Sequence, residues 1–121
     1  MFSISYPADE HYTTPQAAGV PQYENGKQFI AQKRRLVNFY GYNSSGAAVV
    51  VAIIDTADGT NIQAGDIVRV FPVPAGLFVS IGQHAGKRME RGIFAKAFTD
   101  ATLATPAGNV MLWDVDWLAY S

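Results

Sequence analysis

The strongest constraint on the fold comes from residues 47–56, whose sequence is AAVVVAIIDT. The first eight of these residues are all apolar, and five of them are valine or isoleucine. The run is much shorter than the ~20 residues that a membrane-spanning helix requires. β-branched residues favour extended backbone, and a strand that is apolar on both faces must be covered on both. These residues therefore predict a central strand of a layered β domain.

Other segments are rich in apolar residues and are separated by residues that favour turns. Their spacing of roughly ten residues is typical of a β-sandwich or a small barrel. Pro72 predicts an edge position or a strand end. The polar, basic stretch 83–91 predicts a loop, and Gly92, which follows it, predicts a close backbone approach or an unusual φ. Besides the central strand, the predicted strands are residues 29–43, 66–73, 77–82, 92–99, 101–105 and 110–120.

Strict alternation assigns the side chains of these strands to two faces. The predicted faces are Trp113 and Trp117 opposite Asp114 and Asp116 in the last strand, and Leu36, Asn38 and Tyr40 opposite Val37 and Phe39 in the first. The whole pattern predicts an all-β domain, a single antiparallel β-sandwich of jelly-roll type with about 6–8 strands.

Residues 1–27 differ from the rest of the chain. They hold three of the six prolines and show no apolar periodicity, so they predict an extended N-terminal arm ahead of a sandwich domain in residues 28–121. The arm is either a flexible terminus or a segment laid over a neighbouring subunit. Alternating apolar residues near its start favour the second interpretation, because such a segment can add as a strand to a sheet edge. The predicted contact residues of the arm are Phe2, Ile4, Tyr6, Tyr12 and Tyr23.

Composition excludes several classes of protein. Charged residues make up only 16% of the chain and the net charge is −1. Since ~25% is usual, most of the surface is predicted to be neutral and suited to contact with other proteins. The balanced charge argues against a nucleic-acid binder. The chain has no cysteine, which excludes disulfides and thiolate chemistry. No segment has the pattern of a signal peptide or a membrane span, so synthesis in a cytoplasm is expected.

Residues that carry catalysis or bind metals are sparse. His11 and His84 are 73 positions apart, so the sequence predicts no zinc site, no other metal and no cofactor. Asp114 and Asp116 allow three interpretations: a glycosidase-type carboxylate pair, part of a Ca²⁺ site, or a solvated strand face. The solvated face is favoured, and the chain is predicted not to be an enzyme.

Basic and aromatic side chains are the remaining candidates for subunit contacts. The basic run 33–35 alternates between strand faces, which favours ion pairing or subunit contact over phosphate binding. The basic residues of 83–91 are placed to pair with Glu90 or with carboxylates of a neighbour. Tryptophans frequently anchor cores and interfaces. The predicted subunit-contact residues are Arg34, Arg35, Lys87, Arg88, Arg91, Trp113 and Trp117.

Several short motifs occur in an order that resembles a family of small structural proteins of tailed-phage virions. The motifs are VNFYGYN at 37–43, IDT at 54–56, VFPVPA at 70–75, GKRMERGI at 86–93 and FTDAT at 98–102. The family pattern has Arg and Phe at the positions of Lys87 and Met89, and Ser-Ser-Thr at 98–100. The similarity extends over residues 36–120.

The resemblance implies a structural protein of a bacteriophage virion, most simply a capsid decoration or cement protein or the base of a head fibre. Its partners would be the major capsid protein or other virion subunits, with neither nucleic acid nor membrane expected. A homo-oligomer is expected, and a trimer is favoured on symmetry grounds. The alternative is a tail-associated or carbohydrate- or receptor-binding module that uses Trp113 and Trp117. A hydrolase using Asp114 and Asp116 is the least favoured interpretation.

Overall fold

The computed structural model describes residues 9–119, except that only the backbone is described at residues 83–85. It is an all-β fold, as the sequence predicts. The strands are β1 (Glu10–Thr13), β2 (Gln16–Ala17), β3 (Val20–Pro21), β4 (Gly26–Ile30), β5 (Arg34–Asn43), β6 (Val49–Ile54), β7 (Ile67–Val73), β8 (Phe78–Met89), β9 (Ile93–Phe98) and β10 (Met111–Ala119), and one 3-10 turn (Ala64–Asp66) precedes β7. Within residues 9–119, no helix is long and apolar enough to cross a membrane.

Eight strands form two four-stranded antiparallel sheets. The first sheet has the order β1-β10-β5-β8 and the second has the order β4-β9-β6-β7, while β2 and β3 form a small separate hairpin. The pairings are nested, because β1 pairs with β10, β4 with β9, β5 with β8 and β6 with β7. One long antiparallel ribbon is thus rolled up, and the pairs β10–β5 and β6–β9 complete the two sheets. This strand order is a jelly roll.

The core lies between the sheets and is built around aromatic rings. Trp113 is 1% exposed and Phe39 is fully buried. Their ring centroids are 5.5 Å apart, and Phe29 meets each ring edge to face at 6.1 Å. Aromatic pairs in these geometries add about 0.5–1.5 kcal/mol beyond the burial of their area. The aromatic side chains therefore tie β4, β5 and β10 together across the two sheets.

The prediction that β6 is covered on both faces is confirmed. Val49, Val51 and Ile53 point into the main core. Ala52 and Ile54 point the other way into a second apolar cluster, which includes Phe98. Partly buried side chains of neighbouring strands and loops complete this cluster, and they are Ile62, Ile67, Phe94 and Leu103. Pro72 lies on β7, which is an edge strand as predicted.

The described part of the predicted arm, residues 9–27, is built into the sandwich instead of standing apart from it. Strand β1 pairs with β10 over Glu10–Thr13. Tyr12 packs edge to face on Phe29 and donates a hydrogen bond to Glu24. The expectation of little regular structure before residue 28 is therefore wrong for β1, because cross-strand pairing and core contacts supply order that local periodicity does not signal. Phe2, Ile4 and Tyr6 lie outside the described residues.

A β-bulge makes the observed faces of β5 differ from the predicted ones. Leu36 and Asn38 of β5 pair with the adjacent residues Trp117 and Asp116 of β10, so Val37 is an extra residue. Leu36 consequently turns into the core with Phe39, whereas strict alternation placed it with Asn38. A bulge of this kind inverts the face of every residue beyond it.

The predicted strand 29–43 is two strands, β4 and β5, which lie in different sheets. Two further predicted boundaries change. The stretch 83–91 is mostly strand, because β8 continues to Met89 and pairs with the start of β5. Residues 101–105 lie outside any strand, and the nearest ladder contact is a single bridge between Phe98 and Pro106. In both cases tertiary pairing decides the backbone hydrogen bonds, which residue type alone does not.

Candidate functional site

The outer face of the first sheet carries the densest set of polar and aromatic side chains in the described structure. Cross-strand partners there share a face, since directly opposed residues project to the same side. One row joins His11, Asp116, Asn38 and Gly82. The next row joins Thr13, Asp114, Tyr40 and Ser80. A third row, at the end of the sheet, joins Leu112, Tyr42 and Phe78.

His11, Asp114 and Asp116, here called the His11 cluster, meet on this face. The imidazole Nδ1 contacts the Asp116 carboxylate, and Nε2 lies 3.3 Å from Oδ1 of Asp114 and 2.5 Å from the Thr13 hydroxyl. One potential ligand atom of each cluster residue lies within 4.8 Å of the others. Asn38 donates a hydrogen bond to the second oxygen of Asp116 at 3.4 Å. The imidazole is therefore held between two carboxylates.

The two carboxylates of the cluster differ in their environment. The Asp114 side chain is 45% exposed and the Asp116 side chain 28%. Burial raises the pKa of the Asp114 carboxyl, the neighbouring His11 opposes that rise, and the charge of Asp116 adds to it. The predicted solvated strand face is thus only partly solvated.

A shallow cleft of about 150 Å³ adjoins the cluster. Thr13, Asp114 and Tyr40 line it. Two further lining residues are joined by a hydrogen bond, which the Trp113 backbone N–H donates to the Thr14 hydroxyl at 2.6 Å. The remaining lining residues are Gln16 and Leu112.

An uncharged aromatic patch covers the other end of the same face. We define the aromatic patch as Tyr40, Tyr42, Phe78 and Leu112. The rings of Tyr40 and Phe78 stack with centroids 5.2 Å apart and an interplanar angle of 27°. Phe78 is 59% exposed, and Leu77 just before it is 54% exposed. The patch therefore leaves large apolar area in water at the end of the sheet.

The opposite side of the sandwich has a larger cavity. It measures about 380 Å³ and lies outside the second sheet, over the apolar cluster around Ile54 and Phe98. Lys96 also lines it, with its ammonium group 5.7 Å from the Phe98 ring centroid. It is a mainly apolar surface with one cation.

The two tryptophans predicted as subunit contacts lie in the core. Trp113 is 1% exposed and Trp117 is 5% exposed. Both lie on one face of β10, as the alternation predicts, and that face points inward and is closed by the second sheet. Their predicted contact with another subunit, and the sugar-stacking role in the alternative interpretation, are therefore wrong.

Several of the predicted basic contact residues form ion pairs within the chain. Arg34 pairs with Glu10. Arg88 pairs with Glu90 at 3.7 Å, which is one of the pairings proposed for it from the sequence, and Arg91 pairs with Asp66. Arg35 is partly buried and Lys87 is exposed. A role in subunit contact stays a prediction for these five basic residues.

Glu10 connects the edge strand β1 to β10 and, beyond it, to β5. Its carboxylate accepts hydrogen bonds from Arg34 Nε at 2.5 Å and from Trp117 Nε1 at 2.8 Å. The hydrogen bond from Arg34 holds the pKa of the Glu10 carboxyl below its usual range, partly offset by burial. A depressed pKa means that this stabilisation is present above the pKa of the unfolded chain and is lost as the pH falls through that of the folded chain.

We expect Glu10→Gln to lower the free energy of unfolding by about 0.5–1 kcal/mol at neutral pH, in the range of partly exposed ion pairs. The difference from the wild type should disappear at an acidic pH below the lowered pKa of the folded chain, where the wild-type carboxyl is also neutral. Urea denaturation of both proteins at the two pH values measures this difference in the free energy of unfolding. An equal difference at both would show that the loss does not come from the ionised carboxylate.

The His11 cluster was missed by sequence reasoning because His11 was assigned to the arm. Its separation of more than 100 positions from Asp114 and Asp116 hides the contact. The available signal was the alternation in Glu10–Thr13, which places Glu10 and Tyr12 on one face and His11 and Thr13 on the other. Alternation identifies a strand, but it does not name the strand with which it pairs.

By its strand order the chain is a jelly-roll β-sandwich protein. Comparison with protein-family models, with curated proteins and with solved structures finds no match to this chain.

Proposed function

We propose that the chain is a structural protein of a tailed-phage virion, a capsid decoration or cement protein or the base of a head fibre. The observation that carries the proposal is the aromatic patch, which would contact the major capsid protein or another virion subunit. Phe78 exposes more than half of its surface there. Burying a phenylalanine side chain yields about 1.5–3 kcal/mol, and exposed apolar patches with a polar rim mark interaction sites.

The fold and the motifs support the same class of protein. Jelly rolls are common in viral capsid proteins, although they also occur in lectins and enzymes, so the fold alone does not decide the function. The motifs that resemble the phage family include the β5 segment with Tyr40 and Tyr42. The low content of charged residues, 16%, also suits a chain that is surrounded by other protein.

The composition of purified particles tests the proposal directly. Tailed-phage particles would be purified by density gradient from a lysate in which the gene is expressed, and their proteins quantified by mass spectrometry. The proposal expects this chain in a fixed ratio to the major capsid protein. Absence of the chain from particles that contain the other structural proteins would contradict it.

The role of the aromatic patch is tested by Phe78→Ser. Because central apolar anchors dominate interface energies, we expect the affinity for particles or for other copies of the chain to fall about tenfold or more. Val20→Ser is the matched control, since Val20 is 64% exposed on the β2–β3 hairpin. Light scattering gives the native mass and co-sedimentation with particles gives the affinity. Equal behaviour of the two variants would mean that the patch is not the contact surface.

The proposed arm needs a shorter deletion than residues 1–27. Removing those 27 residues would delete β1 and the Tyr12 and Thr14 contacts, so any loss of attachment would be confounded by loss of stability. Deleting residues 1–8 leaves every described strand intact. If the arm anchors the chain, this shorter deletion abolishes attachment while the thermal midpoint stays close to that of the wild type.

The alternative function, a carbohydrate- or receptor-binding module, is supported by a different part of the same face. The stacked pair Tyr40 and Phe78 offers an aromatic platform, and Asp114, which lines the same cleft as Tyr40, is a hydrogen-bond acceptor. A bound sugar makes both kinds of contact, because its ring stacks on aromatic side chains and its hydroxyl groups donate hydrogen bonds to acceptors. Saturable glycan binding that Tyr40→Ala removes, in a chain absent from particles, would favour this function over the structural one.

A further inference from the structure

The His11 cluster has the donor atoms and the spacing of a metal site. We propose that it binds a divalent transition-metal ion of the Zn²⁺ type, with His11 Nε2 and an Asp114 oxygen as ligands. In this arrangement the Asp116 carboxylate holds the other ring nitrogen of His11. The proposal concerns residues outside the aromatic patch and is independent of the proposed function.

The distance between the two ligand atoms fits a single ion. Nε2 of His11 and Oδ1 of Asp114 are 3.3 Å apart. Bonds of about 2.0–2.1 Å to zinc, at a tetrahedral angle, separate two ligand atoms by about 3.3 Å. The Thr13 hydroxyl also contacts Nε2, at 2.5 Å, and metal binding would replace that contact. The two ligands therefore need little rearrangement to share an ion.

The contact between Asp116 and Nδ1 supplies the support that metal-binding histidines usually have. A carboxylate on the second ring nitrogen fixes the orientation of the ring and makes the free nitrogen a better ligand. Asn38 in turn donates to Asp116, at 3.4 Å. This arrangement of carboxylate, imidazole and metal accounts for all three members of the cluster.

The type of metal follows from the donor set. Calcium and magnesium favour sites made entirely of oxygen, whereas an imidazole with carboxylates suits zinc and its neighbours. The two adjacent carboxylates provide the negative charge that favours a cation at this position. Asp114 and Thr13 also line the 150 Å³ cleft, which offers room beside the cluster for water or an external ligand of the ion.

A bound ion would also join two strands. His11 lies on β1, which is an edge strand held to the first sheet by β10 alone, and Asp114 lies on β10. A metal bond between them would cross-link the N-terminal strand to the sheet. Amide hydrogen exchange in residues 10–13 should therefore slow when the ion binds, since local opening of an edge strand would require the metal bond to break.

The test is a titration of the full chain with ZnCl₂ by calorimetry, repeated with CoCl₂ and followed by the visible absorption of Co²⁺. We expect one ion per chain. His11→Ala and Asp114→Asn should each weaken the binding at least tenfold, and Asp116→Asn, which removes support only, about 10–100-fold. His84→Ala, which alters the other histidine of the chain, is the matched control and should bind as the wild type does.

The variants remain interpretable because both ligand side chains are about half exposed, so circular dichroism should show an intact fold. Absence of saturable binding would overturn the proposal. Binding that survives both His11→Ala and Asp114→Asn, or that is lost in His84→Ala, would overturn it as well, because the ion would then sit elsewhere. Binding without slower exchange in residues 10–13 would overturn the cross-link.

Discussion

Replacing Trp113 with alanine is expected to lower the free energy of unfolding by about 3–5 kcal/mol, which is a large fraction of the stability of a domain of this size. Trp113 is 1% exposed and lies in the centre of the sandwich. Its ring contacts Phe29 in the second sheet and Phe39 in the neighbouring strand. Removing it deletes these contacts and leaves a cavity between the sheets that the rigid strands cannot collapse to fill.

Leu112→Ala is the matched control for that substitution. Leu112 precedes Trp113 on β10 but lies on the outer face and is only partly buried. Replacing Leu112 with alanine therefore removes much less buried area, and we expect the free energy of unfolding to fall by about 1 kcal/mol. Urea denaturation followed by circular dichroism compares the two. A loss below about 1.5 kcal/mol for Trp113→Ala would contradict the position of the ring in the core.

Gly92→Ala should cost about 3 kcal/mol or more, at the upper end of the range for overpacked sites. A Cβ at this position would lie 2.4 Å from the Thr56 carbonyl oxygen and 2.5 Å from the Ile30 carbonyl oxygen. Both obstacles are backbone atoms, so a change of rotamer cannot relieve the clash. Moving these backbone segments apart would also disturb the Gln28 side chain, which donates to both carbonyls at 2.8 Å.

The Asp55 carboxylate further restrains the backbone around Gly92. Asp55 accepts hydrogen bonds from the backbone N–H groups of Glu90, Arg91 and Gly92 at 2.9, 2.8 and 3.2 Å. Displacing Gly92 would therefore break bonds to a charged acceptor as well. The close backbone approach that the sequence predicted for Gly92 is present in the structure.

Gly46→Ala is the control for Gly92→Ala. Gly46 lies in an exposed turn where an added Cβ meets no atom within 4 Å, so its replacement should change the stability by no more than about 0.5 kcal/mol. Thermal unfolding of the two variants measures the difference. Similar midpoints would show that the carbonyl oxygens of Thr56 and Ile30 do not confine Gly92.

Sequence reasoning predicted best the elements whose hydrophobic pattern is complete within one strand. The apolar run of β6 predicted a strand buried on both faces, and the structure shows both faces covered. In β5 the same reasoning placed Leu36 on the wrong face. The bulge at Val37 arises from the pairing with β10, which alternation in one strand does not contain.

The candidate sites show the same division. Asp114 and Asp116 were recognised as neighbours on one strand face, since residues two apart in a strand share a face. His11 was not placed with them, because the contact depends on the pairing of β1 with β10. The stacking of Phe78 on Tyr40 was not predicted either, because it depends on the register between β5 and β8.

The sequence by itself determined that the chain is a β-sandwich, which of its strands is buried on both faces, and which side chains of each regular strand share a face. These properties follow from the local period of apolar residues, which repeats every two positions in a strand. Only the tertiary structure decided the nested order of the jelly roll, the inclusion of β1 and the His11 cluster. Each of these depends on pairing between segments far apart in the chain, and the free energy of such pairing comes from contacts that no single segment holds.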